Sequence, residues 1–342
     1  MPSRSGRITQ RDIARLAQVS QTTVSMVLND RHVPGVRIAP ATRERVLQVI
    51  RETGYVADPV ARRMQAGRNQ IIGVFTYERV FPSTSADFFH PFLVGIEEHS
   101  ERLGCDLLLF TSAPTGAGRR IFHENTRLRL ADGCLLLGRE IPADELGRLN
   151  AEAYPFVAIG RRDDANGPVP YVGAAYADAT AELVERARAL GHREFAYVGD
   201  GASPESAVDR WQGFTRAGGQ RHEPTTGRDI GDILDTLLAA GVTAALAEGS
   251  DDAVNLAAAA EARGLAVPGD LSILALGDPI DVVPDRQFSG FHLPRRDMGT
   301  QAVEVLTAIL SGDDVESQRL LPCQFVEGET LGPPHERDPK GR

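Results

Sequence analysis

The sequence predicts an α/β body built on parallel sheets, preceded by a small all-helical headpiece. Three observations carry that prediction. From Ile71 onward, short apolar runs alternate with helical stretches. Ahead of them, residues 8 to 29 (ITQRDIARLAQVSQTTVSMVLN) read as two short helices around a tight turn. Charge is also divided: residues 1 to 69 hold twelve Arg against five Asp or Glu, a net +7. The whole 342-residue chain carries −10, which leaves −17 on the remainder.

In the headpiece, Thr9 and Asp12 form a capping pair, and Ile13, Leu16 and Ala17 follow at helical spacing, predicting a helix over 9–18. Val19 and Ser20 break it. Ser20 is a good N-cap for a second helix, whose Val24, Val27 and Leu28 form one stripe while Thr22, Ser25, Met26 and Asn29 form the other. A loop over 30–39 turns at Pro34 and Gly35. The third helix starts at Pro40, behind an Ala39 that has no capping side chain; Val46 and Ile50 close the small core, and Gly54 ends the helix. A short helix anchored on one face and offering hydroxyls, an amide and a thioether on the other suits insertion into the DNA major groove. Two ordinary surface helices are the plain alternative. The basic headpiece on an acidic chain favours DNA, because phosphate binding needs positive charge on the docking module only.

Composition narrows the remaining classes. Apolar residues make up 42%, ordinary for a globular chain, and no apolar run approaches the roughly 18 residues of a membrane span. The N-terminus lacks a signal-peptide core, so a cytoplasmic protein with no membrane partner is expected. Cys105, Cys134 and Cys323 are an odd, widely spaced set beside apolar runs, which predicts free buried thiols. Nothing matches CxxC, HExxH, GxSxG or a P-loop, and Gly199 and Gly201 lack the third glycine of GxGxxG. The eight His are dispersed, so no metal and no cofactor is expected.

The body reads in order. IIGVF, CDLLLF, GCLLLG and FVAIG are strands separated by helices such as 88–103 and 143–152. A second set follows: a helix over 177–190, EFAYVG, helices over 205–217 and 229–240, AALA, a helix over 251–263, and LSILALG. The segment GGQRHEPTTGR shows no strand pattern, so the second half is expected to be trimmed. The last ten residues, with two prolines and mixed charge, are expected to be a disordered tail, 333–342.

Residues 8–29, the third helix TRERVLQVIRETGY and the following DPVARRMQAGRN together resemble the headpiece and hinge of the LacI/GalR (lactose-repressor) family of bacterial transcription regulators. More loosely, the similarity runs to about residue 332. It implies a headpiece over 1–57, a hinge helix and linker over 58–69, and a periplasmic-binding-protein-like body over 70–332. The implied first subdomain is about 70–161 plus 290–322, and the second about 162–289 plus 323–332. In this scheme GFHLPRRDMGTQAVEVLTAIL returns a strand and a helix to the first subdomain, and LLPCQFVEGETLGPP supplies the closing strands.

The resemblance also implies sites. Gln21, Thr22 and Met26 match the positions that read bases; Gln suits adenine, Thr a base edge or thymine methyl, and Met offers only an apolar surface. Thr9, Ser20, Thr23, Ser25 and Asn29 match residues that touch phosphates or hold register, and Tyr55 matches a tyrosine that packs on the core and reaches a phosphate. Asp58 and Pro59 read as N-cap and N1 of a hinge helix, in which Ala61 and Met64 face the minor groove and Met64 takes the place of the family's leucine wedge. A plain linker is the alternative there. For the effector, Arg210 matches the arginine that binds ligand hydroxyls, Phe88 and Phe89 an aromatic pair, and Phe291 a cleft aromatic. Asp251 or Asp252 lies near the family's ligand-binding aspartate, whose own place falls on Ser250; Ala175 stands where many relatives have aspartate. His192 matches a structural turn.

The expected function is a sequence-specific regulator that represses a carbohydrate-related operon, not an enzyme. Its expected partners are a pseudo-palindromic double-stranded operator, a small effector of the sugar class, and a second copy in a homodimer or tetramer. A nucleobase or other polar corepressor is the alternative effector. An α/β enzyme or a solute-binding transport component is the alternative class.

Overall fold

The computed structural model describes residues 8–28, 38–55, 69–78, 88–111, 119–123, 126–278 and 286–335. The chain divides into two compact units, Met1–Asn69 and Gln70–Arg342.

The N-terminal unit holds α1 (Gln10–Leu16), α2 (Gln21–Leu28) and α3 (Pro40–Thr53). Thr9 caps α1 through a full capping box with Asp12, and Gln18 ends the turn in the left-handed region at φ 54°. The helix is therefore shorter than the 9–18 expected. Its buried face is Ile13, Ala14 and Ala17, which pack with Val24, Val27 and Val46; Ile50 and Tyr55 pack against this core. Leu16, although at helical spacing from Ile13, is 53% exposed. At 100° per residue, Leu16 falls outside the arc centred between Ile13 and Ala14, and α2 and α3 cover that arc. As expected, α3 starts at Pro40 without a side-chain cap and ends at Gly54, whose φ of 61° a side chain would strain. Arg45 Nε donates to Ala17 O at 2.9 Å, so α3 satisfies a carbonyl at the end of α1.

The second unit has two lobes, each on a six-stranded sheet. The first sheet contains β1 (Ile71–Thr76), β2 (Asp106–Phe110), β3 (Gly133–Leu137), β4 (Phe156–Ile159), β5 (Tyr171–Ala174) and β11 (Gln318–Leu321), in the order β11-β5-β4-β3-β1-β2. The second contains β6 (Phe195–Val198), β7 (Arg221–Glu223), β8 (Ala244–Ala247), β9 (Ser272–Ala275), β10 (Ser289–His292) and β12 (Gln324–Val326), in the order β12-β10-β9-β8-β6-β7. Every pairing is parallel except β10 with β12. β3, β4, β6, β8 and β9 are buried along their whole length, the pattern of strands covered on both faces.

On the first lobe, α4 (His90–Arg102) packs against α10 (Arg295–Ser311), and α5 (Ala143–Ala151) covers the opposite face. A Cβ on Gly95 would fall 2.0 Å from Arg296 O, and one on Gly299 2.2 Å from Phe92 O, so α4 and α10 meet backbone to backbone. The second lobe carries α6 (Tyr176–Ala189), α7 (Glu205–Arg216), α8 (Ile230–Ala239) and α9 (Ser250–Ala262).

Three expectations change here. β5 completes the first sheet and β10 belongs to the second, so the chain crosses between lobes near Ala175 and Leu293 rather than at 161/162 and 289/290. A strand forms in GGQRHEPTTGR after all: β7 pairs with β6 through Arg221, His222 and Glu223, an edge strand held by backbone bonds and thus without an apolar pattern. Residues 333–335 are packed rather than free, since His335 N donates to Gly269 O at 2.9 Å. The chain crosses three times, and Tyr176, Leu293 and Cys323, one at each crossing, pack against the cores of both lobes.

Candidate functional site

In the N-terminal unit, Ser20 begins α2 by accepting from Thr23 N at 3.0 Å and bonding the Thr23 hydroxyl at 2.8 Å. With Val24 and Val27 buried, Gln21 and Thr22 are left exposed while Thr23, Ser25 and Met26 are half-buried. Gln21 Nε2 donates to Gln10 Oε1 at 3.3 Å, a contact across the turn that the sequence reading missed. Thr9 spends its hydroxyl on the capping box, donating to Asp12 Oδ2 at 2.7 Å; these bonds hold the Asp12 carboxyl below its ordinary range. Tyr55 is half-buried against the headpiece core. Asn29, Ala61 and Met64 lie outside the described residues.

In the second unit, a cavity of about 480 Å³ opens at the C-terminal ends of the strands, between the two lobes. Arg139 reaches it from the loop after β3, Arg161 and Arg162 from the loop after β4, and Arg295 from the start of α10. From the second lobe come Asp209 and Arg210 on α7, residues 248–252 at the start of α9, and Asp278 after β9.

Arg210 lines this cavity. Its Nε donates to Leu276 O at 2.6 Å and its guanidinium lies 4.0 Å from the centre of the Tyr176 ring. Burial pushes the Tyr176 hydroxyl pKa up, with the Arg210 charge opposing. Phe88 and Phe89 also line the cavity and meet edge to face at 5.1 Å. The Phe88 ring has Arg139 and Arg295 each 5.4 Å from its centre, and its carbonyl accepts from Arg295 at 3.2 Å.

The acidic wall differs from the expected one. Asp251 lines the cavity but is exposed, and Asp252 beside it is half-buried. Burial raises the Asp252 pKa, helped by the charge of Glu248. Glu248 Oε2 accepts from the Tyr197 hydroxyl and from Gly201 N, both at 2.8 Å. Ser250 Oγ donates to Asp278 O at 3.2 Å, which joins the ends of β8 and β9 instead of presenting a carboxylate. Ala175 stands at the N-cap of α6, and its N–H donates to Leu321 O at 2.8 Å.

Phe291 is a correction. It is 2% exposed, sits in the core of the second lobe and does not line the cavity; it meets Tyr176 at 6.2 Å. An inward position on β10 puts it under the sheet, and Tyr176 supplies the aromatic surface in its place. Tyr176, Arg139, Arg161, Arg162, Asp209 and Asp278 were missed by sequence reasoning. The usable signal was position: charged residues directly after FVAIG and LSILALG stand at strand C-termini, where such sheets bind ligands. His192 is buried as a structural residue, bonding Thr243 Oγ1 at 2.9 Å and Gly332 O at 2.8 Å. Cys134 is buried, and Cys105 and Cys323 are half-buried free thiols. Among the described residues no helix is long and apolar enough to cross a membrane.

Comparison with known proteins agrees with this architecture. Residues 9–58 match the family model described as bacterial regulatory proteins, lacI family, and residues 184–331 match a periplasmic binding protein-like domain. The chain is 25% identical to catabolite control protein A of Staphylococcus xylosus over 332 residues, covering 94% of this chain and 98% of that one. It is 30% identical to the sucrose operon repressor of Klebsiella pneumoniae over 210 residues, 61% of this chain and 60% of that one. Its fold matches a lac repressor dimer bound to operator with a TM-score of 0.71 at 22% identity, covering 96% of this chain and 100% of that one. The chain thus carries a DNA-binding region of the lacI type over 9–58, a helix-turn-helix headpiece, ahead of a two-lobed, cleft-bearing body that matches a periplasmic binding protein-like domain over 184–331.

Proposed function

We propose that this protein is a dimeric, operator-binding repressor of genes for carbohydrate use, released from DNA by a sugar bound between the two lobes of its body. The observation that carries the reading is the pairing of two sites on one chain: an α2 presenting Gln21 and Thr22 outward, and a cleft lined by Arg210, Phe88 and several carboxylates. Planar arginine donors, carboxylate acceptors and aromatic faces suit a polyol with many hydroxyls. Similarity to the sucrose operon repressor and to catabolite control protein A supports the carbohydrate assignment.

Two subunits read two half-sites, and Met64 of each hinge serves as the wedge at the operator centre. The ligand acts through its different affinities for the DNA-competent and incompetent states. The reading assigns binding without turnover to the cleft, and places the protein in the cytoplasm with its DNA.

Selection of bound fragments from a random duplex library, repeated with a panel of free sugars, tests the proposal. A symmetric motif whose recovery one sugar abolishes is the expected result. Recovery of random sequence removes the operator reading, and a response confined to purines replaces the sugar with a nucleobase.

A further inference from the structure

The two walls of the cleft carry opposite charge. Among the described residues that line it, the charged side chains of the first lobe are all basic: Arg139, Arg161, Arg162 and Arg295. Those of the second lobe are acidic, namely Asp209, Glu248, Asp251, Asp252 and Asp278, with Arg210 the exception.

The walls also touch directly. Arg161 Nε donates to both oxygens of Asp209, at 2.9 and 2.8 Å, and these side chains are only 20% and 10% exposed. The neighbouring Arg162 pairs with Glu205 at 3.1 Å and donates to Gly138 O at 2.6 Å. Its side chain is 3% exposed, so its charge has little water to fall back on, and burial pushes its pKa below the ordinary arginine value. On the same side, Ser203 Oγ donates to Glu140 at 3.3 Å. Nearer the crossings, Arg295 meets Asp278 at 3.0 Å, and Asp278 also bonds His292.

We propose that Arg161–Asp209 and Arg162–Glu205 form a latch through which the protein's own charges, and not the effector alone, set how far the cleft closes. The latch is regulation of the proposed effector site and rests on that reading. Both arginines sit on the loop after β4, and both carboxylates sit on the first turns of α7, one turn apart. α7 also carries Arg210, so the latch fixes the distance from that residue to the first wall. Parting the lobes breaks both pairs together and exchanges their directed, charge-assisted hydrogen bonds for contacts with entering water, so the pairs favour the closed arrangement through their geometry. The sugar then adds its contacts to an equilibrium already biased toward closure, and weakening the pairs shifts that equilibrium before any ligand arrives.

The test measures closure in the full-length protein. Spin labels on genetically encoded keto amino acids at exposed Asp144 on α5 and exposed Gln212 on α7 report the separation of the lobes by pulsed electron resonance. The unsubstituted protein is expected to give one dominant short distance. Glu205→Gln with Asp209→Asn is expected to lengthen and broaden the distribution. Asp209→Asn alone, which keeps the Arg162 pair, is expected to broaden it less, and it decides the matter if the double variant does not fold. A distribution unchanged by either substitution overturns the latch. Because no effector is added, failure of the sugar reading leaves this result standing, and failure of the latch leaves the sugar reading untouched.

Discussion

The Arg210 guanidinium lies 4.0 Å from the centre of the Tyr176 ring, and Tyr176 packs against the cores of both lobes. The proposed effector anchor therefore rests on a residue at a lobe crossing. Arg210→Ala is expected to abolish the thermal shift given by the cognate sugar. Tyr176→Leu is expected to weaken binding by roughly 1 kcal/mol, about fivefold, through loss of the cation–π contact. Titration calorimetry checks both; a sugar that binds all three proteins equally places the site elsewhere.

The headpiece depends on very few buried side chains. Ile13 and Val46 are both 0% exposed in it, and replacing Ile13 by Ala should cost about 2–5 kcal/mol, a large part of what so small a core supplies. DNA binding is expected to be lost while the body keeps its melting transition. Scanning calorimetry of the intact chain would show the effect as loss of one transition only.

Affinity for the proposed operator should fall by about 10³ to 10⁵ between 50 and 200 mM salt if the proposed dimer neutralises six to ten phosphates. Gln21→Ala should lower discrimination by about 1–3 kcal/mol at a single position of each half-site, without changing the salt slope. Gln10→Leu, which removes the bond to Gln21, is expected to relax preference at that same position. Competition binding against a set of single-base operator variants measures all three effects.

Half-buried Asp252 and buried His192 give pH dependences of opposite sign. Burial raises the Asp252 pKa above the ordinary 3.8. As pH climbs through 3.8 the unfolded chain ionises first, so stability falls across the window up to the folded value and stays lower at neutral pH. Asp252→Asn is therefore expected to raise the melting temperature of the body at pH 7 and not at pH 3.5. Burial lowers the His192 pKa below the ordinary 6.5, so the unfolded chain takes up its proton first. Stability is then full above 6.5 and is lost as pH falls below it. His192→Asn should be less stable at pH 7.5 but lose less on acidification to 5.5. Urea midpoints at each pH separate the two groups.

Much of this molecule could be read from short windows of chain. The capping pair Thr9 and Asp12, the N-cap Ser20, Pro40 at the start of α3 and Gly54 at its end are local backbone chemistry, and each stands where its residue type predicts. The apolar runs of the buried strands were equally plain, because a strand covered on both faces needs no partner to reveal itself. Phe291 was misread since strand membership gives a period, while the direction of the core is set by elements distant in sequence. β7 escaped because an edge strand is held by backbone bonds, which leave no pattern in side chains. The lobe crossings, the seat of Arg210 on Tyr176 and the pairing of Arg161 with Asp209 belong to tertiary structure alone. Arg161 and Asp209 are 48 residues apart, and nothing local to either says which charge it will meet once two separate sheets have turned their strand ends toward one another.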